Sequence, residues 1–402
     1  MHCRSINSFC FCRMIILIQM ILLTFAHRGA TALLIQNSRI AGFGLTNLKL
    51  PSKMTNRNER LSTKFSALYS TDTAVGGVHY TAKEEEVINS MLYRIRECNY
   101  MPEDVRAGLL DFVVDGKTLG KTPSDIAKRL CEASPKSSPV FQISTLSNGQ
   151  SVLTLCDETV GTSSEARTDA VMGVMTKLRE EGMITGWRDE LLPLTERFYD
   201  EPLFLVERAA APFLGMQQYG IHMNGLVRSK DSDEITMWMA RRSATKSKFP
   251  GMLDQMVAGG QPAGLGLMEN VLKECMEEAG VPESLAKAGI KATGGISYET
   301  IEYIPEADGE TSNGVVTRCM LYCYDLYLPE EFEPKAVDGE VDYFFKWTLD
   351  EVKESMHPDY DDPIKPNCYL CIIDYLQRDG HISPEVPGYL DILRELRSGY
   401  CG

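Results

Sequence analysis

The chain has 402 residues, 44% of them hydrophobic, enough for two cores of ordinary size, and a formal charge of −15. Residues 1–75 hold nine Lys and Arg against Glu59 and Asp72 alone, so the remainder is more acidic still, which excludes a basic surface for gripping nucleic acid. Twelve cysteines without dense, regular spacing exclude a secreted disulfide scaffold.

Arg4 and Arg13 precede an apolar run from Met14 to Ala26, the length of a signal peptide and too short to span a bilayer. From His27 to about residue 75 the chain is rich in Ser, Thr, Asn and basic residues, the composition of a transit segment. The succession resembles a bipartite leader for a secondary plastid, with Phe25 as the aromatic at the cleavage point. It implies a signal peptide over 1–26, a disordered leader over 27–75, a plastid address and no stable membrane anchor after processing. Secretion through the endoplasmic reticulum with a disordered linker is the simpler alternative.

Residues 80–200 read as a small α+β domain. A helix is expected over Lys83 to Cys98 and a hairpin over Phe112 to Leu119, turning on Asp115-Gly116. A second helix, Pro123 to Ala133 opened by Thr122, precedes strands at Phe141–Ser144 and Val152–Leu155, then a helix from Ser163 to Glu181 stopped by Gly182. The stretch carries no catalytic constellation of its own.

The second domain, 204–402, opens with strands at Ile221–Arg228 and Ile235–Arg242 joined by a polar turn. Leu267 to Ala279 lacks Gly and Pro, carries Leu272, Cys275 and Ala279 at helical spacing, and is followed by Gly280 as C-cap. Strands near Ser297–Tyr303, Val315–Leu328 and Val341–Trp347 follow, then helices at Leu349–Met356, Lys365–Arg378 and Tyr389–Arg397. Helices on both sides of a mixed sheet predict an α/β/α sandwich. Cys368 and Cys371 form a CxxC; with no second CxxC, two packed helical cysteines are expected rather than zinc ligands.

Glu274, Glu277 and Glu278 are neighbours on one face of the Leu267–Ala279 helix, behind the glycine loop from Gly259 to Gly264. Adjacent carboxylates repel, and a bound hard cation, Mg²⁺ or Mn²⁺, relieves that repulsion; a solvated acidic face is the alternative reading. Arg241, Arg242 and Lys246 make a basic patch just before the loop, though strand alternation sends the two arginines to opposite faces. His222 and Asn224 share one face of a strand and Trp238 lies on the next. These are candidates to hold a heteroaromatic ring, with core packing as the rival account of Trp238.

From Gly259 onward the segment resembles the Nudix box, with Glu274, Cys275, Glu277, Glu278, Gly280 and Val281 in register. Two positions depart: Leu265 stands where the box has Glu, and Lys273 where it has Arg. In the family these two pair to brace the loop, and nearby Glu269 is the candidate to take over part of that role. Tyr219–Gly225, Met237–Ser243 with Lys246, and Pro250–Gly260 resemble the Nudix branch related to thiamine pyrophosphokinase, as does Asp111–Gly120 in the preceding domain. The chain's length is expected to leave no room for the pyrophosphokinase domain of longer fungal relatives.

The resemblance implies a Nudix sandwich preceded by a smaller α+β domain, and a metal-dependent pyrophosphohydrolase acting on a small-molecule diphosphate. Glu274, Glu277 and Glu278 would hold the metal, and Glu274, Glu278 or the loop acid Glu340 would carry the catalytic work. His222, Asn224, Trp238, Arg241, Arg242 and Lys246 would bind substrate. Thiamine diphosphate and its oxidised or damaged analogues are the implied substrates. ADP-ribose or another nucleoside diphosphate-linked compound is one rival, and a non-catalytic diphosphate-binding module is another.

Overall fold

The computed structural model describes residues 73–75, 78–304 and 313–400. The signal peptide and almost all of the leader expected over residues 1–75 lie outside them. Among the described residues no helix is long and apolar enough to cross a membrane.

A capping box opens α1 (Ala82–Cys98): the Thr81 hydroxyl accepts the Glu84 N–H while the Glu84 carboxylate accepts the Thr81 N–H. Its apolar face, Ile88, Met91, Leu92 and Ile95, does not pack on the strands that follow it. It joins a core built with Tyr369, Ile372, Ile373 and Leu376, far along the chain.

The hairpin of β1 (Leu109–Val114) and β2 (Lys117–Pro123) turns on Asp115 and Gly116, both at positive φ. Next come α2 (Ser124–Ala133), β3 (Phe141–Thr145), β4 (Ser151–Leu155) and α3 (Ser164–Glu180). The four strands lie in the order β2-β1-β4-β3, with β1 parallel to β4. Thr122 does not open α2 as expected: it belongs to β2, and α2 starts after Pro123 with no side-chain cap. An unforeseen hairpin, β5 (Leu191–Leu194) with β6 (Phe204–Glu207), adds Leu192, Leu194, Phe204 and Val206 to this core, and the 3₁₀ turn Arg208–Leu214 leads out of it.

The second sheet is built from β7 (Gln217–Arg228), β8 (Ile235–Arg242), β9 (Leu253–Gln255), β10 (Val257–Gly260), β11 (Ile290–Ile304), β12 (Asn313–Leu328) and β13 (Val341–Thr348). Its order is β9-β8-β7-β12-β11, with β10 also on β7 and β13 also on β8. β7 and β12 run parallel and the other pairs antiparallel, so the sheet is mixed as expected. Between β10 and β11 lie α4 (Leu267–Ala279) and α5 (Glu283–Gly289); α6 (Leu349–Glu354), α7 (Pro366–Arg378) and α8 (Tyr389–Glu395) close the chain.

Alternation along β7 divides the layers. Ile221, Met223 and Val227 face α4 and α5 with Val271, Cys275, Ala279 and Ala286. On the other face Leu226, Met237, Met239 and Leu253 meet α1, α7 and α8. The result is the expected α/β/α sandwich, preceded in sequence by the smaller α+β sheet.

Candidate active site

α4 stops where Gly280 adopts φ 62°, a left-handed cap that releases the chain after the last acidic turn. At the other end of the motif β10 pairs with β7, placing Gly259 opposite Ile221 and Gly260 opposite Gly220. Glycine is required at 259 for close approach: a Cβ there would stand 2.6 Å from the Glu274 carboxyl carbon. One turn on, the buried Glu278 accepts the Ala258 N–H at 2.9 Å. Both carboxylates therefore lie along the backbone of β10.

Glu277 points outward, and its carboxylate accepts from Lys273 Nζ at 2.7 Å; the same ammonium reaches Glu274 at 3.3 Å. Burial pushes the Glu274 carboxyl above its ordinary range, Lys273 opposes this, and the charges of Glu277 and Glu340 add to it. Burial pushes Glu278 well up, against the Ala258 hydrogen bond and with help from Glu274, Asp254 and Glu340. Among the described residues no three His, Cys, Asp or Glu side chains converge to hold a metal ion. Lys273 sits between two of the acids, and Ala258 holds back the third.

The loop is braced by residues the sequence did not single out. Asn270, fully buried, donates to the Gly260 carbonyl at 2.8 Å and to Gln261 Oε1 at 3.1 Å; Gln261 donates to the Leu265 carbonyl at 2.6 Å. Glu269 stays in the first turn of α4 and does not take this role. An amide pair replaces the family's ion pair. At this depth a neutral bracket avoids the desolvation that a buried charge pair incurs.

The basic patch divides, as alternation required. Arg241 forks onto Asp362 and donates to the Gly251 carbonyl. Arg242, beyond a bulge, bonds Asp254 at 2.6 Å and the Lys248 and Phe249 carbonyls. Lys246 alone turns to the candidate site, where it pairs with Glu340. Burial raises the Glu340 carboxyl, but the Lys246 bond and charge, with Arg188 and Arg242, hold it below its ordinary range. Lys246 and Glu340 line a cleft of about 360 Å³ together with Trp187 and Arg188. A larger cleft, about 650 Å³, opens beside α1, His357 and His381, on the side of the sheet away from α4.

The expected ring grip is not formed. His222 and Asn224 are buried on the α7 side of the sheet. The His222 Nδ1–H donates to Gln255 Oε1 at 2.5 Å, Gln255 donates to Asn224 Oδ1 at 2.7 Å, and Asn224 donates to Asp325 at 3.1 Å. Trp238 is buried on the α4 side, with Lys346 5.1 Å over its ring. Two faces of one sheet cannot close on one ligand. Cys368 and Cys371 are free, buried thiols of α7; Cys368 donates to Asp254 and Cys371 lies 3.2 Å from Cys323.

Burial and the neighbouring Lys365 charge hold His222 down to about 4, against an ordinary value of 6.5. The unfolded chain then binds the extra proton first as pH falls. The contribution of His222 to stability is full above 6.5 and declines by about 3 kcal/mol toward pH 4. Chemical denaturation of His222→Gln at pH 7 and pH 4.5 checks this: the variant should lose much less stability between the two than the native chain.

Residues 90–218 match a family described as a domain of unknown function (DUF4743). The MutT/nudix family protein from Enterococcus faecalis overlaps 44% of this chain and 67% of its own, at 15% identity and TM-score 0.29. The chain is 42% identical over 237 residues, 59% of each protein, to Nudix hydrolase 20, chloroplastic, of Arabidopsis thaliana. It is 36% identical over 322 residues to Nudix hydrolase 24, chloroplastic, of the same plant, spanning 80% of this chain and 81% of that one. With that span of identity joined to the glycine loop and the carboxylates of α4, the chain belongs to the Nudix hydrolases, enzymes acting on phosphorus-containing anhydrides.

Proposed function

We propose that the chain is a divalent-metal-dependent pyrophosphohydrolase, using Mg²⁺ or Mn²⁺, that cleaves thiamine diphosphate and its oxidised or damaged analogues to monophosphates. The observation that carries the chemistry is the placement of Glu274 and Glu278, one helical turn apart, against the Gly259 backbone and within the field of Glu340. A buried and a half-buried carboxylate, mutually repelling and with hard oxygen donors, fit a divalent cation. Glu274 and Glu278 would hold it, joined by Glu277 once Lys273 gives way. When bound, such a cation neutralises a diphosphate and lowers the pKa of a coordinated water.

The candidate carboxylates divide by proton affinity. Lys246 holds Glu340 low and ionised, while Glu274 and Glu278 are held high without metal; a bound cation would lower those two, so the base is one of Glu274, Glu278 and Glu340.

The thiamine reading rests on the resemblance of Tyr219 to Lys246. The competing reading, ADP-ribose or another nucleoside diphosphate-linked substrate, gains from the burial of His222, Asn224 and Trp238, because none of the three is free to contact a thiamine ring. A panel of diphosphates assayed with Mg²⁺ and with EDTA decides between them. Thiamine-type diphosphates are expected to exceed ADP-ribose roughly tenfold or more in kcat/KM. Equal or greater turnover of ADP-ribose would reject the substrate reading; turnover insensitive to EDTA would reject the metal.

Residues 80–200 and 204–402 would be successive domains, with α1 lying across onto the second. The protein would reside in a plastid after loss of residues 1 to about 75, in keeping with the names of its Arabidopsis relatives. A fluorescent fusion of residues 1–75 is expected in the plastid, and one found in the medium or cytosol would refute the address.

A further inference from the structure

Trp187 and Arg188 line the same cleft as Lys246 and Glu340, yet they belong to the stretch matched by a family without an assigned function. Their loop is built to hold one shape. Asp189 adopts φ 58°, a left-handed backbone state that Asp tolerates better than most residues with a side chain. Its carboxylate accepts the Trp187 indole N–H at 2.9 Å, and the Arg179 guanidinium lies 4.7 Å over the Trp187 ring. From behind, the buried Glu207 accepts the Arg188 N–H at 3.0 Å and the Ala209 N–H at 3.2 Å. The Arg208 N–H donates to the Glu190 carbonyl at 2.9 Å. Arg188 and Arg208 thus rise from one fixed frame.

The frame delivers positive charge to the box. A Cβ on Gly260 would stand 2.8 Å from the Arg208 guanidinium, so that group lies on the glycine loop itself, steadied by Glu190 at 2.8 Å. Arg188 donates to Ser247 Oγ at 2.8 Å, and among the described residues no carboxylate lies in ion-pair contact with it. Burial and repulsion from Arg208 hold Arg188 below its ordinary range, Glu190 and Glu340 oppose them, and Arg242 adds to the repulsion. Gathered guanidinium groups, one without a carboxylate partner, beside a glycine backbone make a receptor for a multiply charged oxyanion.

We propose that Arg188, together with Arg208, clamps the diphosphate of the substrate, so that residues 90–218 supply a substrate-binding part of the hydrolase site. The proposal rests on the reading that this cleft takes an organic diphosphate. The acids of α4 serve bond cleavage, and the two arginines serve binding and orientation.

The test uses the full chain and methylenebisphosphonate, whose P–C–P bridge resists hydrolysis, titrated by calorimetry in Mg²⁺. It is read beside kcat and KM for thiamine diphosphate and ADP-ribose. Arg188→Ala is expected to weaken probe binding and raise KM roughly ten- to hundredfold, with a smaller change in kcat and an unchanged melting temperature. Arg188→Lys should recover part of the loss, because charge returns without the forked geometry. Probe binding by Arg188→Ala within threefold of native, or no binding by the native chain, would overturn the clamp. If Glu278→Gln still abolished turnover in that case, the hydrolase reading would stand. Arginine-dependent probe binding in a chain that hydrolyses no diphosphate would instead uphold the clamp and reject the hydrolase reading.

Discussion

Glu278→Gln is expected to lower kcat/KM for the best diphosphate at least about a hundredfold, roughly 2.7 kcal/mol of transition-state stabilisation. The amide oxygen can still accept the Ala258 N–H, so β10 keeps its seam with α4 while the charge is lost. Stability should move the other way. With its carboxyl held above the ordinary 4.5, folded Glu278 binds a proton that the unfolded chain has already released, so metal-free stability declines as pH rises through that window. Glutamine removes the decline. In EDTA at neutral pH the variant should therefore melt at or above the native temperature, and Mg²⁺ should stabilise it less. Near-native turnover would remove Glu278 from the mechanism.

Gly259→Ala is expected to cost about a hundredfold in kcat/KM, the loss that follows a displacement of about 1 Å in a reacting group. The new Cβ would fall 2.6 Å from the Glu274 carboxyl carbon and 3.0 Å from its Oε1, so one of them must move. The neutral bracket from Asn270 to Gly260 and Gln261 fixes the strand, which leaves the side chain of Glu274 to shift. Comparing this variant with Glu274→Gln distinguishes position from charge. If Gly259→Ala retained full activity, the contact between the loop and Glu274 would have no part in catalysis.

Much of the second domain was legible because its signals are local. Leu267 to Ala279 lies between a glycine loop and Gly280, and α4 has those bounds. Alternation defined β8 over Ile235–Arg242 and separated Arg241 from Arg242. Asp115-Gly116 turned its hairpin because both residues tolerate positive φ. β9, β10 and α5 escaped notice, since strands of three and four residues and a seven-residue helix are too short to show a period.

By itself the sequence determined the order of the longer elements and the acidic face of α4, and it carried the resemblance of the box to its family, because each depends on spacing within one segment. Tertiary structure decided which side of the sheet each polar residue met. His222, Asn224 and Trp238 sit on adjacent strands, but α7 covers one face and α4 the other, so burial removed all three from the cleft. It also decided where α1 packs, that Gln261 and Asn270 brace the loop, that Arg208 reaches the glycine loop and that Arg188 reaches the cleft of Lys246 and Glu340, both from a distant segment. Periodicity records which way a side chain leaves its own element. What that side chain meets is set by loop closures across a hundred residues, and no local pattern encodes them.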